Sequence, residues 1–144
     1  MQILNRNIIT MITGFNNASL HCINTVAIEY RLPAKLLVSI LNTEGGKLGL
    51  IKYNKNGTYD LGPNQINTSW WPMLYRYGIT QKEVLYNPCI NIKVAAWILS
   101  KAITNSPNLI TGIGRYHSYT DTLNHSYALQ VSKNYKLLNQ FLWS

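Results

Sequence analysis

Glycine and proline limit this chain more than any other feature, because Pro33, Gly45-Gly46, Pro63, Pro88 and Pro107 fall between short segments of apolar periodicity. Neither residue extends a helix readily, so the pattern reads as mainly helical and built of short pieces that must pack on one another. Ile23 to Arg31 reads as one helix, stopped near Pro33. Ala34 to Glu44 reads as the next, with Leu37, Ile40 and Leu41 on one face, ended by Gly45-Gly46. Asn56-Gly57, between Tyr53 and Tyr59, is the strongest local hairpin signal and places a small β-hairpin near residues 50–62. Thr80 to Glu83 matches a capping box, in which hydroxyl and carboxylate each satisfy a backbone donor, and this explains Glu83 without chemistry. Asn87-Pro88 supplies an N-cap and a first-turn proline for a helix bearing Ile90, Val94, Trp97 and Ile98, running to about Asn105. Beyond Ser106-Pro107 a short segment leads to Arg115-Tyr116-His117-Ser118. A last helix carries Leu123, Tyr127, Val131, Tyr135 and Leu138, read as packing positions.

At 144 residues and 47% hydrophobic content the chain is expected to form one compact domain, burying roughly 68–70% of its unfolded surface. Disorder is excluded. The longest wholly apolar run, Val94 to Leu99, has six residues, against about 20 for a spanning helix, so no transmembrane segment is expected. Residues 1–20 read as a separate N-terminal segment, with one basic residue and a Thr-interrupted apolar stretch. It is either a weak secretion signal or a helix, and residues 21–144 are the domain. Thirteen Lys and Arg against five Asp and Glu give a net charge of +8, which attracts polyanions: nucleic acid, an anionic membrane face or an acidic wall polymer. No basic run exceeds one residue and no zinc-finger or P-loop pattern occurs, so no nucleic-acid partner is expected. Cys22 and Cys89 suit two buried thiols or one disulfide.

Five carboxylates, Glu29, Glu44, Asp60, Glu83 and Asp121, are the whole acidic inventory. Glu44 follows Leu41, Ile40 and Leu37 at helical spacing, so it projects from the apolar side at the end of its helix. The negative end of the helix dipole and partial burial both disfavour its charge and raise its pKa, as a general acid requires. The competing reading is a solvated terminal Glu paired with Lys47. Downstream, Tyr59-Asp60-Leu61-Gly62-Pro63-Asn64-Gln65-Ile66-Asn67 gathers amides and hydroxyls ahead of Trp70-Trp71. Such groups suit a sugar polymer, with amides bonding hydroxyl and N-acetyl groups and an indole covering a pyranose face. Each Trp reads equally well as core.

Taken in order, Leu41-Asn42-Thr43-Glu44-Gly45-Gly46, the Asn56 to Asn67 stretch, Asn87-Pro88-Cys89-Ile90-Asn91-Ile92 and Arg115-Tyr116-His117-Ser118 resemble the soluble lytic transglycosylase family. Over about residues 21–120 the similarity is nearest to its small members from secretion, conjugation and pilus systems. The resemblance implies an α+β, lysozyme-like domain, mostly helical, acting on bacterial peptidoglycan. It places the catalytic acid on Glu44, a glycan-lining amide on Gln65 and the active-site tyrosine on Tyr116, with Tyr59, Asp60, Asn67 and Trp70 as further substrate-binding candidates. Asp60 is read as a turn stabiliser bonding local backbone. The chain departs from the family pattern at Gly45 (usually Ser), Asn64 (usually Met) and His117-Ser118 (usually Asn-Ala). The resemblance also implies a Cys22–Cys89 disulfide and hence a periplasmic site. No metal or organic cofactor is implied. The expected partners are peptidoglycan glycan strands and components of a secretion or conjugation machine, and the expected state is a monomer. The mechanism implied uses one carboxylate and leaves a 1,6-anhydro product. The alternatives are a goose-type lysozyme-like hydrolase and a non-catalytic peptidoglycan-binding assembly protein.

Overall fold

A computed structural model describes residues 17–142 of the chain. The signal-or-helix reading of residues 1–20 falls outside the described residues up to residue 16, and from Asn17 the chain is already in α1 (Asn17–Tyr30). This helix begins before the expected Ile23 because its buried face starts earlier: Leu20 packs against a core that contains Cys22, Ile23, Val26 and Ala27. Arg31, at a left-handed φ of 54°, turns the chain into Pro33, the N-cap of α2 (Ala34–Glu44).

A three-stranded antiparallel sheet follows: β1 (Ile51–Tyr53), β2 (Tyr59–Leu61) and β3 (Ile66–Asn67), in that order. The Asn-Gly hairpin forms as expected, with Tyr53 opposite Tyr59 and Lys52 opposite Asp60. The third strand is an addition to the hairpin reading. At two residues it is too short to show alternation, and its partner positions, Asp60 with Asn67 and Leu61 with Ile66, are set by the turn before it. The short helices α3 (Trp71–Leu74) and α4 (Gln81–Tyr86) lead to α5 (Pro88–Thr104), α6 (Leu109–His117) and α7 (Asp121–Leu142). The capping box of α4 is present in full, Thr80 Oγ1 accepting from the Glu83 N–H at 3.1 Å and Glu83 Oε1 from the Thr80 N–H at 3.2 Å.

The segment read as a short connection before residue 118 is instead the helix α6, opened by Asn108, whose side chain accepts from the Thr111 N–H at 2.8 Å. Gly112 and Gly114 obscured it, since glycine weakens a helix by about 1 kcal/mol against Ala. Their absent side chains are what let α6 dock: a Cβ on Gly112 would lie 2.6 Å from Ile103 Cα, and one on Gly114 would strike Asn124 of α7.

Two cores share α5. One face of it, Ile92, Ala96 and Leu99, joins α1, α2, α6 and α7; the other, Val94, Ala95 and Ile98, joins the sheet, α3 and α4. A helix buried on two sides is apolar nearly all round, as this one is. Cys22 on α1 and Cys89 at the start of α5 form a disulfide with a Cα–Cα distance of 5.6 Å, within the usual range. Among the described residues no helix is long and apolar enough to cross a membrane.

Candidate active site

Between the two cores lies an open groove of about 880 Å³, walled by the end of α2, the sheet, the C-terminal end of α6 and one face of α7. Glu44 is the last residue of α2. Gly45 ends the helix at a left-handed φ of 63°, its N–H returning to the Leu41 carbonyl at 3.0 Å. Gly46 then lies against the turn between β2 and β3 so closely that a Cβ there would collide with the carbonyl oxygens of Gly62 and Pro63. That approach brings the sheet's turn up to the acid.

Beneath the turn sits Asn91 of α5, fully buried. Its Oδ1 accepts from Asn64 N (2.9 Å) and Nδ2 (3.0 Å), and its Nδ2 donates to the Leu61 (3.1 Å) and Val84 (2.9 Å) carbonyls. Asn64, where the family pattern has Met, is therefore turned into the protein and bonded to Asn91, and it does not line the groove.

Glu44 lines the groove with its pKa pushed from the ordinary 4.5 up to about 8, by burial first and then by repulsion from Asp60, with Lys52 pulling the other way. Burial and a second carboxylate thus do what the helix dipole was expected to help do. Lys47 makes no ion pair with it; among the described residues the one ion pair is Lys93–Glu29, at 3.5 Å. Asp60 also lines the groove, and its Oδ1 accepts from the Asn67 side chain, Nδ2, at 2.8 Å, so it braces the β2–β3 turn through a side chain and not through the local backbone expected from the sequence. Asn67 also donates to Thr58 Oγ1 (2.9 Å) and accepts from the Ser69 N–H (2.9 Å), so its amide is committed to holding the sheet.

Gln65, at a left-handed φ of 52°, lines the groove and donates through Nε2 to the Gly62 carbonyl (2.9 Å), and no protein donor among the described residues reaches its Oε1. Tyr116 donates from its hydroxyl to the Asn64 carbonyl (3.1 Å), tying α6 to the turn. Burial and the nearby carboxylates hold its pKa well above the ordinary 10.0, so it stays a neutral donor. Trp70 lines the groove and meets Trp97 edge-on, ring centres 5.5 Å apart. Trp71 is spent on structure, Nε1 donating to the Ile79 carbonyl at 3.1 Å. Tyr59 does not line the groove; its ring packs edge-on against Tyr53 at 4.9 Å.

Tyr127, read from sequence as packing, is a groove residue. It stacks on His117 (4.9 Å) and Tyr116 (6.1 Å), and its buried hydroxyl has no hydrogen-bond partner among the described residues. Burial and Glu44 raise its pKa, as expected of a neutral hydroxyl beside the acid. Helical spacing marked the position as inward; only the groove's path shows that inward here means toward Glu44. Burial pushes the His117 imidazole below 6.5, so it too is neutral near pH 7.

A mostly helical domain with a small sheet, and one neutral carboxylic acid at a helix end in an open groove, is a lysozyme-like fold. Residues 21–139 match the transglycosylase SLT domain, and the chain belongs to that family of lytic transglycosylase enzymes. Invasion protein IagB of Salmonella typhi is 29% identical over 138 residues, covering 92% of this chain and 86% of that protein. A peptidoglycan-binding-like protein of Escherichia coli O157:H7 is 30% identical over 131 residues, or 85% and 78% of the two chains. Protein IpgF of Shigella flexneri is 26% identical over 100 residues, or 69% and 66%. The family acts on peptidoglycan, a substrate of the cell envelope.

Proposed function

We propose that this protein cleaves the MurNAc–GlcNAc β-1,4 bond with Glu44 as its single acid and base, leaving a 1,6-anhydroMurNAc end. The observation that carries this is the placement of Glu44, the last residue of α2, in the wall of an open groove whose other carboxylate, Asp60, is bonded to Asn67; burial there pushes the Glu44 pKa up to about 8. Glu44 gives its proton to the glycosidic oxygen as the bond to the MurNAc C1 breaks. The substrate's own acetamido oxygen supports the positive charge that develops at C1. The Glu44 carboxylate then takes the proton from the C6 hydroxyl of the same sugar as that oxygen bonds to C1, which restores the acid with no water consumed. Gln65 Oε1, Tyr116 and the Trp70 face hold the strand, and the +8 charge draws the protein to the anionic wall. Periplasmic action fits the disulfide. Likeness to an invasion protein supports a role in opening the wall locally for a secretion, conjugation or pilus apparatus.

Asp60 in the same groove favours one alternative, a muramidase that delivers water. Mass analysis of digested sacculi separates the two: anhydromuropeptides are expected from the wild type, reducing MurNAc ends would establish hydrolysis, and no product at all would leave a binding protein.

A further inference from the structure

Two cations of the groove stand apart from the rest of the basic surface. Lys52, on β1, and Lys55, in the hairpin turn, both line it, and among the described residues neither ammonium group has an ion-pair or hydrogen-bond partner. Arg115 lines it as well, but its Nη1 donates to the Asn105 carbonyl (3.2 Å) and to Ser106 Oγ (3.1 Å), and its guanidinium lies over the Tyr119 ring, 5.1 Å from the centre. Asp60 lies directly across from Lys52 in the sheet, yet its Oδ1 accepts from Asn67 and no ion pair forms between them. The charge of Lys52 is felt across the groove, at both Glu44 and His117.

A strand of plain N-acetylated sugars is neutral. Laid against this wall, it would take water from two ammonium groups and return no counter-charge, which costs free energy. A muramyl sugar differs by the lactyl arm on its O3, which ends in a carboxylate or, when substituted, carries a stem peptide with free carboxylates of its own. We propose that Lys52 and Lys55 read a carboxylate borne on the lactyl arm of the muramyl sugar, so that the groove selects anionic strands over amidated ones. The proposal rests on the muramyl substrate put forward above.

The test uses four soluble GlcNAc–MurNAc tetrasaccharides: lactyl carboxylate free, lactyl methylamide, an L-Ala-D-Glu stem with both carboxylates free, and that stem with both amidated. Affinities are measured by calorimetry on the full chain carrying Glu44→Gln, so that nothing is consumed and the effect of Lys52 on the Glu44 proton drops out. They are then repeated with Lys52→Gln and Lys55→Gln added. Turnover of the same fragments is followed with Glu44 intact. At least one carboxylate form should bind about threefold to tenfold more tightly than its amidated match, as for partly exposed ion pairs. The two lysine substitutions should erase that difference, lowering the affinity for the carboxylate form and leaving the amidated fragment bound as tightly as before or more tightly, since the cost of drying two ammonium groups goes with them. Whichever pair shows the difference identifies the carboxylate as lactyl or stem. Equal affinities for charged and amidated forms, a difference that survives the lysine substitutions, or no binding of any fragment overturns the proposal. A lysine-dependent preference without turnover upholds it and removes the transglycosylase reading; anhydro products without such a preference do the reverse.

Discussion

Holding a proton on Glu44 to about pH 8, as the proposed chemistry requires, burdens the fold. From about pH 4.5 to about 8 the unfolded chain has released this proton and the folded one retains it. The folded state then binds more protons, so stability falls as pH rises through that window, by up to about 1.4 kcal/mol per unit, and levels off above it. Glu44→Gln should match the wild type in thermal melts near the bottom of the window and outlast it increasingly toward the top, keeping that advantage beyond. The same substitution keeps size and hydrogen bonding but has no proton to give, and should cut glycan cleavage by ~10²–10⁴. Near-normal turnover would remove Glu44 from the acid role. In the wild type, kcat/KM should fall as pH rises past about 8. Tyr127→Phe probes a different kind of group. Its buried hydroxyl has no partner among the described residues, so the melting temperature should hold or rise slightly, while turnover on soluble fragments should drop about tenfold, the loss of roughly one hydrogen bond formed beside Glu44 during the reaction. Equal turnover would return Tyr127 to a packing role.

Among the elements, those with local chemical signals were legible in the sequence and those set by contact were not. The Asn-Gly hairpin, the Thr80–Glu83 capping box and the Asn87-Pro88 helix start formed as read, because each is closed by groups within a few residues. Helix α6 and strand β3 were not legible: one is weakened by glycines whose value lies in what packs against them, and the other is held by its neighbours in the sheet. The candidate site divides the same way. Glu44 could be found from helical phase, but its repulsion by Asp60 comes from residues 16 positions apart meeting across a groove. Asn91 shows the cost of such long-range closure. Asn91→Ala would leave the Leu61 and Val84 carbonyls and the Asn64 N–H without the partners they have. With each buried orphan costing about 1–3 kcal/mol, denaturant unfolding should show a loss of about 3 kcal/mol or more. A loss below about 1 kcal/mol would mean that water enters and replaces the amide.

For the molecule as a whole, the disulfide ties α1 to the helix shared by both cores, across a sequence separation of 67. In the chain-entropy picture closing such a loop is worth about 4 kcal/mol. Unreduced protein should therefore show no free thiol on titration, and reduction should lower the melting temperature by several degrees; two reactive thiols would contradict the pairing. The division into two cores bears on the acid itself. Glu44 is carried by the helical half and Asp60 by the half that contains the sheet, with the groove between them. Water leaving that groove dries Glu44 and tightens its grip on a proton. On the reading proposed above, a glycan that fills the cleft therefore arms the acid beside it, and the loaded enzyme should stay protonated at Glu44 to a higher pH than the empty one.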